Sequence, residues 1–212
     1  FTQNLRFVMT ITNRDGGRTV SDLRSSTWEN VDGAEFKFDV ANFENEQQNE
    51  ATTGTAARGL AGDLRIALQK PKTAEIAAGS GVLFPVQHTI KLLQAANRGD
   101  TALRAGLYDG SEKGEKVYLT NSAIGTRRAP AGRDAITLPR ADRLVGLASW
   151  PVSIAYFDLD SARGEGMPLH EMGFELYENG VIRELSIDYG SIAIKGHLKE
   201  IEFLATPACA AP

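Results

Sequence analysis

Residues 172–189 read MGFELYENGVIRELSIDY, and this stretch decides the predicted fold. Apolar and polar side chains alternate on both sides of Glu178-Asn179-Gly180, as they do in strands with one buried face. Asn-Gly between two alternating runs is the strongest short-range hairpin signal, because both residues tolerate a positive φ. We therefore predict an antiparallel hairpin over residues 172–189.

The same period of two recurs along most of the chain. Other alternating runs cover residues 5–11, 36–40, 64–68, 152–156 and 192–203. Turn signals lie between the runs, at Asp15-Gly16-Gly17, Asp32-Gly33 and Asp109-Gly110. About ten or more antiparallel strands in one chain imply a sandwich, a barrel or a rolled-up open sheet.

One segment, residues 86–98, departs from this period and predicts a helix. Its apolar residues at helical spacing are Ile90, Leu93 and Ala96, with Leu92 alongside. Pro85 suits the start of the helix, and Gly99 suits the left-handed position just after its end. A single short helix cannot bury its apolar stripe alone, so we expect it to pack on or plug a curved sheet.

The composition is that of an ordinary globular domain. Of the 212 residues, 42% are hydrophobic and 24% are charged, which is sufficient for a buried core in one domain, 1–212. A net charge of −4 argues against broad nucleic-acid binding, which requires a basic face. No run of about 18 apolar residues is present, so we expect no membrane-spanning segment.

The chain has one cysteine, Cys209, in the sequence Thr-Pro-Ala-Cys-Ala-Ala-Pro. A catalytic thiol needs a base or a helix N-terminus nearby, and this segment offers neither. An inert thiol and one half of a disulfide both remain open. The first residues already resemble a strand and not a signal peptide, so we expect either a trimmed chain or one that is not exported.

Familiar catalytic and metal-binding motifs are incomplete. Residues 170–174 begin like a zinc-protease motif, but Phe174 stands where the second histidine is required. His88, His170 and His197 are far apart in the sequence, and no Gly-x-Ser-x-Gly elbow is present. Residues 110–116 lack phosphate-loop spacing and predict a hairpin tip. We therefore predict no catalytic residue, no metal site and no cofactor.

A basic stretch over residues 126–148 stands out in this acidic chain. It includes Arg127 and Arg128, and arginine suits the bidentate recognition of anions. These side chains are candidates for binding a lipid head group, a cell-wall glycan or an acidic protein. The alternative is a solvated loop that balances nearby acidic residues.

Seven segments spread along nearly the whole chain carry a family resemblance. They are residues 25–29 (SSTWE), 33–38 (GAEFKF), 83–89 (LFPVQHT), 107–111 (LYDGS), 150–157 (WPVSIAYF), 176–181 (LYENGV) and 188–190 (DYG). Each segment is weak alone, but together and in this order the sequence resembles the alphaproteobacterial cell-envelope-integrity EipB family.

This resemblance implies a periplasmic protein with a rolled sheet called a β-spiral and one associated helix. It implies a role in envelope maintenance under stress, no known enzymatic activity, and a periplasmic tetratricopeptide-repeat protein as a partner. Family members carry two cysteines joined as a disulfide, of which Cys209 matches the second. We therefore expect the N-terminal strands and the first cysteine to lie upstream of Phe1.

The sequence and the resemblance together predict an all-β, single-domain protein, an open barrel or β-spiral of antiparallel strands with one helix. We expect a monomeric, non-catalytic scaffold or binding protein of the periplasm. Its groove would hold a peptide or partner segment between Trp28, Trp150 and Tyr156, with Arg127 and Arg128 as further contacts. The alternative for these aromatic residues, which their position in strands with buried faces favours, is core packing.

The alternative function is a periplasmic carrier of a lipid or a lipoprotein acyl chain. A half-barrel with a helix across its mouth can hold an acyl chain if its interior is a continuous apolar cavity. A polar interior with an open strand edge instead favours protein binding, in which an added strand supplies the affinity.

Overall fold

The structure is a computed structural model that describes residues 1–13, 15–132, 136, 138–159 and 166–204. Cys209 lies outside these residues. The predicted fold class is confirmed, because the described residues form two β-sheets and one α-helix. The chain divides into two compact units. Unit 1 is Phe1–Thr89, Arg104–Thr120 and Phe157–Met167, and unit 2 is Ile90–Leu103, Asn121–Tyr156 and Pro168–Pro212. The predicted single domain over 1–212 stays a prediction.

The first sheet is a six-stranded antiparallel meander, in which each strand pairs with the next one along the chain. Its strands are β1 (Thr2–Thr12), β2 (Arg18–Glu29), β3 (Glu35–Glu44), β4 (Gln47–Arg58), β5 (Leu64–Lys70) and β6 (Ala74–Ala78). The side chains alternate between the two faces of the sheet, as the sequence predicts.

The second sheet has seven strands in the order β13-β12-β11-β10-β9-β8-β7. Their bounds are β7 (Val82–Leu83), β8 (Ala102–Leu107), β9 (Tyr118–Ile124), β10 (Ser149–Asp158), β11 (His170–Tyr177), β12 (Ile182–Asp188) and β13 (Ala193–Gly196). Unlike the predicted antiparallel pattern, β7 and β8 pair in parallel. A parallel pair requires a crossover connection, which is here a helix.

That crossover is helix α1 (Pro85–Arg98), which confirms the helix predicted over residues 86–98. It ends in a Schellman motif: the Asp100 amide donates to the Ala95 carbonyl at 3.0 Å, and the Gly99 amide donates to the Ala96 carbonyl at 3.1 Å. Gly99 has a φ of 84°, which a residue with a side chain rarely adopts.

The buried side of α1 differs from the predicted apolar stripe. The buried residues are His88, Leu92, Ala95 and Ala96, whereas Ile90 is exposed. Their spacing is still that of one helix face. The prediction was wrong at Ile90 because the histidine takes a position in the buried stripe, which an apolar pattern does not detect.

The predicted hairpin over residues 172–189 is confirmed by the antiparallel pairing of β11 with β12. In its turn, the Gly180 amide donates to the Tyr177 carbonyl at 2.8 Å, and the Tyr177 amide donates to the Val181 carbonyl at 2.9 Å. Gly180 has a φ of 84°, while Asn179 is not among the residues with positive φ. The loop is therefore a three-residue connection with glycine in the left-handed position.

Aromatic rings dominate the core of unit 1. The Phe36 and Phe84 rings stack with their centroids 5.1 Å apart, and Tyr108 contacts Phe36 and Phe38 edge-on at 6.2 and 5.8 Å. The same cluster contains Ala56, Leu64, Ile66, Leu68 and Val82. These residues fill one end of the first sheet, where aromatic pairs add to the free energy of burial.

Candidate functional site

An open groove of about 510 Å³ lies in unit 1, on the face of β1 to β4 that we call the inner face. Its apolar lining residues are Leu5, Leu23, Val40 and Pro85. Its polar lining residues on the strands are Gln3, Ser25, Thr27, Asn42, Glu50 and Thr52. Residues 109–113 complete the lining. We call this feature the inner-face groove.

The register of the strands explains why these side chains meet. Leu5 pairs with Ser25, Ser25 with Val40, and Val40 with Thr52, so one row of neighbours crosses four strands. Directly opposed residues on adjacent strands point to the same face. A mixed row of apolar and polar side chains therefore forms the floor.

A second row lies next to the first and ends on an acidic side chain. Phe7 pairs with Leu23, Leu23 with Asn42, and Asn42 with Glu50. The third row, through Thr27 and Phe38, reaches the aromatic core. The groove therefore occupies the part of the inner face that the core does not cover.

The loop over residues 109–114 packs closely against the core. A Cβ on Gly110 would lie 2.6 Å from the Phe38 ring, and a Cβ on Gly114 would lie 2.6 Å from Leu68. A larger residue at either position would require Phe38 or Leu68 to shift. As predicted, residues 110–116 connect two strands that are neighbours in their sheet.

The loop makes one left-handed turn, with φ values of 48° at Glu112, 61° at Lys113 and 72° at Gly114. Left-handed backbone costs about 1–2 kcal/mol for each residue that carries a side chain. Internal hydrogen bonds stabilise the turn: the Ser111 amide donates to Asp109 Oδ1 at 2.9 Å, and the Gly114 amide donates to the Ser111 carbonyl at 2.8 Å. The loop thus presents Glu112 and Lys113 at the groove in a fixed backbone conformation.

The groove has more negative than positive side chains. Glu50, Asp109 and Glu112 supply three carboxylates, against the one ammonium group of Lys113. Among the described residues, no ion pair involves any of these four side chains. An excess of unpaired carboxylates favours a cationic ligand.

Thr52 lies on the floor of the groove and is only 3% exposed. Its Cγ2 methyl is directed at the loop, 3.2 Å from where a Gly114 Cβ would lie. Its hydroxyl has no hydrogen-bond partner within the part of the chain that the structure describes. Among the described residues, the buried side-chain polar atom without a partner is Ser122 Oγ, so the Thr52 hydroxyl itself keeps contact with solvent, where a ligand in the groove can bind it.

His88 and its hydrogen-bond partners form a buried polar chain. His88 Nε2 lies 3.1 Å from Thr120 Oγ1, and that hydroxyl donates to the Ala105 carbonyl at 3.0 Å. Burial lowers the pKa of His88 to about 4, so the ring is neutral near pH 7. The Thr120 hydroxyl and the Ala105 carbonyl do not take up a proton near pH 7, so these two bonds hold the neutral ring in place.

The remaining histidines have separate environments within unit 2. The His170 ring stacks on Tyr156 at 4.2 Å, and His197 Nδ1 lies 3.2 Å from Glu184 Oε2. Within the described ranges, no three histidine, cysteine, aspartate or glutamate side chains are grouped so that they could bind a metal ion.

The aromatic residues predicted to line a groove differ in exposure. Trp28 in unit 1 is 37% exposed, and Lys37 Nζ lies 5.0 Å from its ring centre. Trp150 and Tyr156 in unit 2 are 2% and 8% exposed, so core packing accounts for most of their surface. None of the three lines the inner-face groove. A partner-binding role for them stays a prediction.

The two predicted arginine contacts pair with acidic residues of the same unit. Arg127 Nη2 lies 3.1 Å from Glu178 Oε1, and the Arg127 guanidinium lies 5.9 Å from the Trp150 ring centre. Arg128 Nη1 lies 3.0 Å from Glu175 Oε1. Both arginine side chains are more than half exposed, so they remain accessible to a partner.

Most groove residues were missed by the sequence analysis. The alternation of apolar and polar residues predicts that Leu5 and Val40 lie on the apolar face of their strands. It does not indicate which part of that face belongs to the core and which part is open to solvent. Ser25, Thr52 and the loop over residues 109–113 have no local signal for binding. The DG turn at Asp109-Gly110 was the one available indication, and it identified only a loop.

The fold and the groove define a mostly β protein with an open cleft of mixed polarity on one sheet. A family model described as EipB-like matches residues 1–205, and the chain therefore belongs to the EipB-like family. The chain is 30% identical to the cell envelope integrity protein EipB of Brucella abortus (strain 2308), over 97% of this chain and 71% of that protein.

A solved structure is similar along almost the whole chain. It is the crystal structure of a Brucella abortus protein that is described as beta-barrel-like and as belonging to a domain of unknown function. The TM-score is 0.85 at 28% identity, and the match covers 96% of this chain and 82% of that chain. The protein described here is thus a homologue of a cell envelope protein. No helix in the described part is long and apolar enough to cross a membrane.

Proposed function

We propose that this protein is a non-catalytic periplasmic binding protein that supports cell-envelope integrity under stress by holding a partner segment in the inner-face groove. The observation that carries this proposal is the open groove itself, with a floor that mixes apolar and polar side chains across four strands. Concave surfaces of this kind bind ligands through apolar contacts and a few placed polar groups.

The polarity of the floor favours a peptide over an acyl chain. An acyl chain needs a continuous apolar cavity, because each buried polar group without a partner costs free energy. Here Ser25, Asn42 and Glu50 interrupt the apolar side chains of Leu23 and Val40. An extended peptide can form hydrogen bonds with such residues while its apolar side chains contact the rest.

The partner in this proposal is a periplasmic tetratricopeptide-repeat protein, as the family resemblance suggests. Arg127 and Arg128 are candidate contacts for an acidic surface of that partner, because both remain more than half exposed despite their ion pairs. Exposed ion pairs contribute little free energy, so a partner's carboxylate can replace them.

The proposal is tested by blocking the groove in cells that lack the encoding gene. Ser25→Trp places an indole in the groove, while Ser26→Trp places it on the opposite face of the same strand. We expect the wild-type protein and Ser26→Trp to restore resistance to detergent and to cell-wall antibiotics, and Ser25→Trp to fail although it is exported and folded. Full rescue by a folded Ser25→Trp protein would contradict the proposal.

A carrier of a lipid or lipoprotein acyl chain is the second candidate. Large apolar side chains on the inner face of β1 favour it, since Leu5 is 59% exposed and Phe7 and Ile11 are also exposed. Mass spectrometry of the purified protein distinguishes the two functions. A stoichiometric bound lipid that Ser25→Trp displaces would favour the carrier.

The disulfide at Cys209 belongs to the same proposal. The sequence contains one cysteine, so the bond requires a partner outside the given residues. Closing a loop of about 200 residues would stabilise the protein by about 4–5 kcal/mol in the loop-entropy model. Non-reducing peptide mapping of the exported protein tests this, and a free Cys209 thiol would contradict it.

A further inference from the structure

We propose that the inner-face groove selects an extended peptide segment that carries a lysine or arginine side chain among small and apolar ones. This inference rests on the proposed function and names the chemistry of its ligand. It combines an open groove of suitable size, an unpaired acidic lining and the Thr52 hydroxyl, to which no described residue forms a hydrogen bond.

The acidic lining supplies the charge selectivity. Glu50 comes from β4, while Asp109 and Glu112 come from the loop over residues 109–114. Carboxylates from two separate segments therefore line one groove. None of the three takes part in an ion pair with a described cation. Opposite charges in a cleft raise the local concentration of a cationic ligand, and like charges exclude an anionic one.

Thr52 supplies a polar anchor on the floor. Its side chain is almost fully buried, yet its hydroxyl has no partner among the described residues, and Thr52 lines the groove. A hydroxyl can donate to a peptide carbonyl and accept from a peptide amide or an ammonium group. An acyl chain offers neither group, so Thr52 favours a peptide.

The apolar side chains of Leu5, Leu23 and Val40 determine which uncharged side chains of a bound peptide the groove prefers. They leave apolar surface open to water on the same floor, and small or branched apolar side chains of a bound peptide would cover it. A phospholipid is the poorer match, because its phosphate would be repelled by the carboxylates at the groove.

Direct binding of two matched peptides tests the proposal. Both are capped, fluorescein-labelled nonapeptides of alternating valine and threonine, one with a central lysine and the other with a central glutamate. We expect fluorescence anisotropy to show at least about threefold tighter binding of the lysine peptide to the wild-type protein, and a smaller difference at high salt. Equal binding of the two peptides would overturn the proposal.

Variants that keep side-chain size assign this preference to the groove. Glu50→Gln and Glu112→Gln should each weaken binding of the lysine peptide about twofold to fivefold, and Lys113→Gln should tighten it. Glu75→Gln is the matched control, because Glu75 is an exposed acid on the other face of its strand. No effect of the three groove variants, or an equal effect of Glu75→Gln, would overturn the proposal.

Three further outcomes separate this inference from the proposed function. If anionic phospholipid vesicles bind and the peptides do not, the ligand class is wrong. If the peptides bind without charge preference while Ser25→Trp still fails to restore envelope resistance, the proposed function stands and the selectivity is wrong. If Ser25→Trp restores resistance, the groove is not the functional site even if it binds peptides.

Discussion

At the scale of single residues, His88 shows how one hydrogen-bond chain fixes a protonation state. The Thr120 hydroxyl has one proton, which it donates to the Ala105 carbonyl, so it accepts a hydrogen bond from His88 Nε2. The neutral ring therefore carries its proton on Nε2. Because burial lowers the pKa of His88 to about 4, the folded protein binds a proton here less readily than the unfolded chain does.

This difference predicts a pH dependence of stability. The stabilising contribution of His88 is complete above the ordinary histidine pKa of about 6.5 and is lost as the pH falls toward about 4. Between about pH 7 and pH 4.5 the wild type should lose about 2 kcal/mol of unfolding free energy through this group. His88→Gln removes the titration, so its urea midpoint should change less over the same range.

The exposed His197 provides the matched control for this measurement. His197→Gln also removes one histidine, but from a side chain that is 71% exposed, so it controls for the loss of a histidine outside the buried site. If His88→Gln and the wild type lose stability in parallel between about pH 7 and pH 4.5, burial of His88 does not control acid stability.

At the scale of secondary-structure elements, a strand carboxylate caps helix α1. Glu29 Oε2 accepts from the Val86 amide at 2.8 Å, and Glu29 Oε1 accepts from the Gln87 amide at 2.9 Å. The first amides of a helix have no partner within it, and negative charge is favourable there. Arg58 adds to the attachment by donating to the Val82 carbonyl and to Gln87 Oε1 at 2.6 and 2.8 Å.

Glu29→Gln tests this cap, because it keeps the shape and replaces one accepting oxygen with a donating group. We expect a loss of about 1 kcal/mol in unfolding free energy near pH 7, measured by urea denaturation. Glu44→Gln, an exposed acid at the end of β3, should change stability by much less. Equal losses in the two variants would show that the cap contributes nothing specific.

The cap also has a pH dependence of defined sign. Burial raises the pKa of Glu29, while the hydrogen bonds from Val86 and Gln87 oppose that rise. The contribution of Glu29 is therefore complete below the ordinary glutamate pKa of about 4.3 and declines as the pH rises through the raised value. Since glutamine does not titrate, the stability difference between wild type and Glu29→Gln should be larger near pH 4 than near pH 7.

Local patterns predicted the elements well and their long-range contacts poorly. The hairpin of β11 and β12 and the end of α1 at Gly99 followed from turn and cap residues within a few positions. The cap on α1 comes from Glu29, 57 positions before Val86, and no local signal links them. A strand of two residues such as β7 is too short to show a period.

The groove was harder to predict because its loop contradicts residue preferences. Glu112 and Lys113 adopt positive φ, a conformation that the sequence suggests only for glycine or asparagine. The exposed inner face of β1 has the same alternation as a strand in the core. The alternation of apolar and polar residues alone therefore could not separate the groove from the hydrophobic core.

At the scale of the whole molecule, four elements contain residues of both units. The unit boundaries fall within α1, β8, β9 and β10. Independent unfolding of one unit would interrupt the backbone hydrogen bonds of these elements partway along their length. Since elements form and melt cooperatively, we expect the described chain to unfold as a single transition.

The two tryptophans test this expectation, because Trp28 belongs to unit 1 and Trp150 to unit 2. In Trp28→Phe the remaining indole reports on unit 2, and its urea midpoint should equal the midpoint from far-ultraviolet circular dichroism.

Trp150→Phe removes part of a buried ring and should lower the free energy of unfolding by about 1–2 kcal/mol. If the units unfold together, Trp28 must report that loss although the substitution lies in the other unit. An unchanged Trp28 midpoint in Trp150→Phe would instead show that the units unfold separately and that the single-domain prediction is wrong.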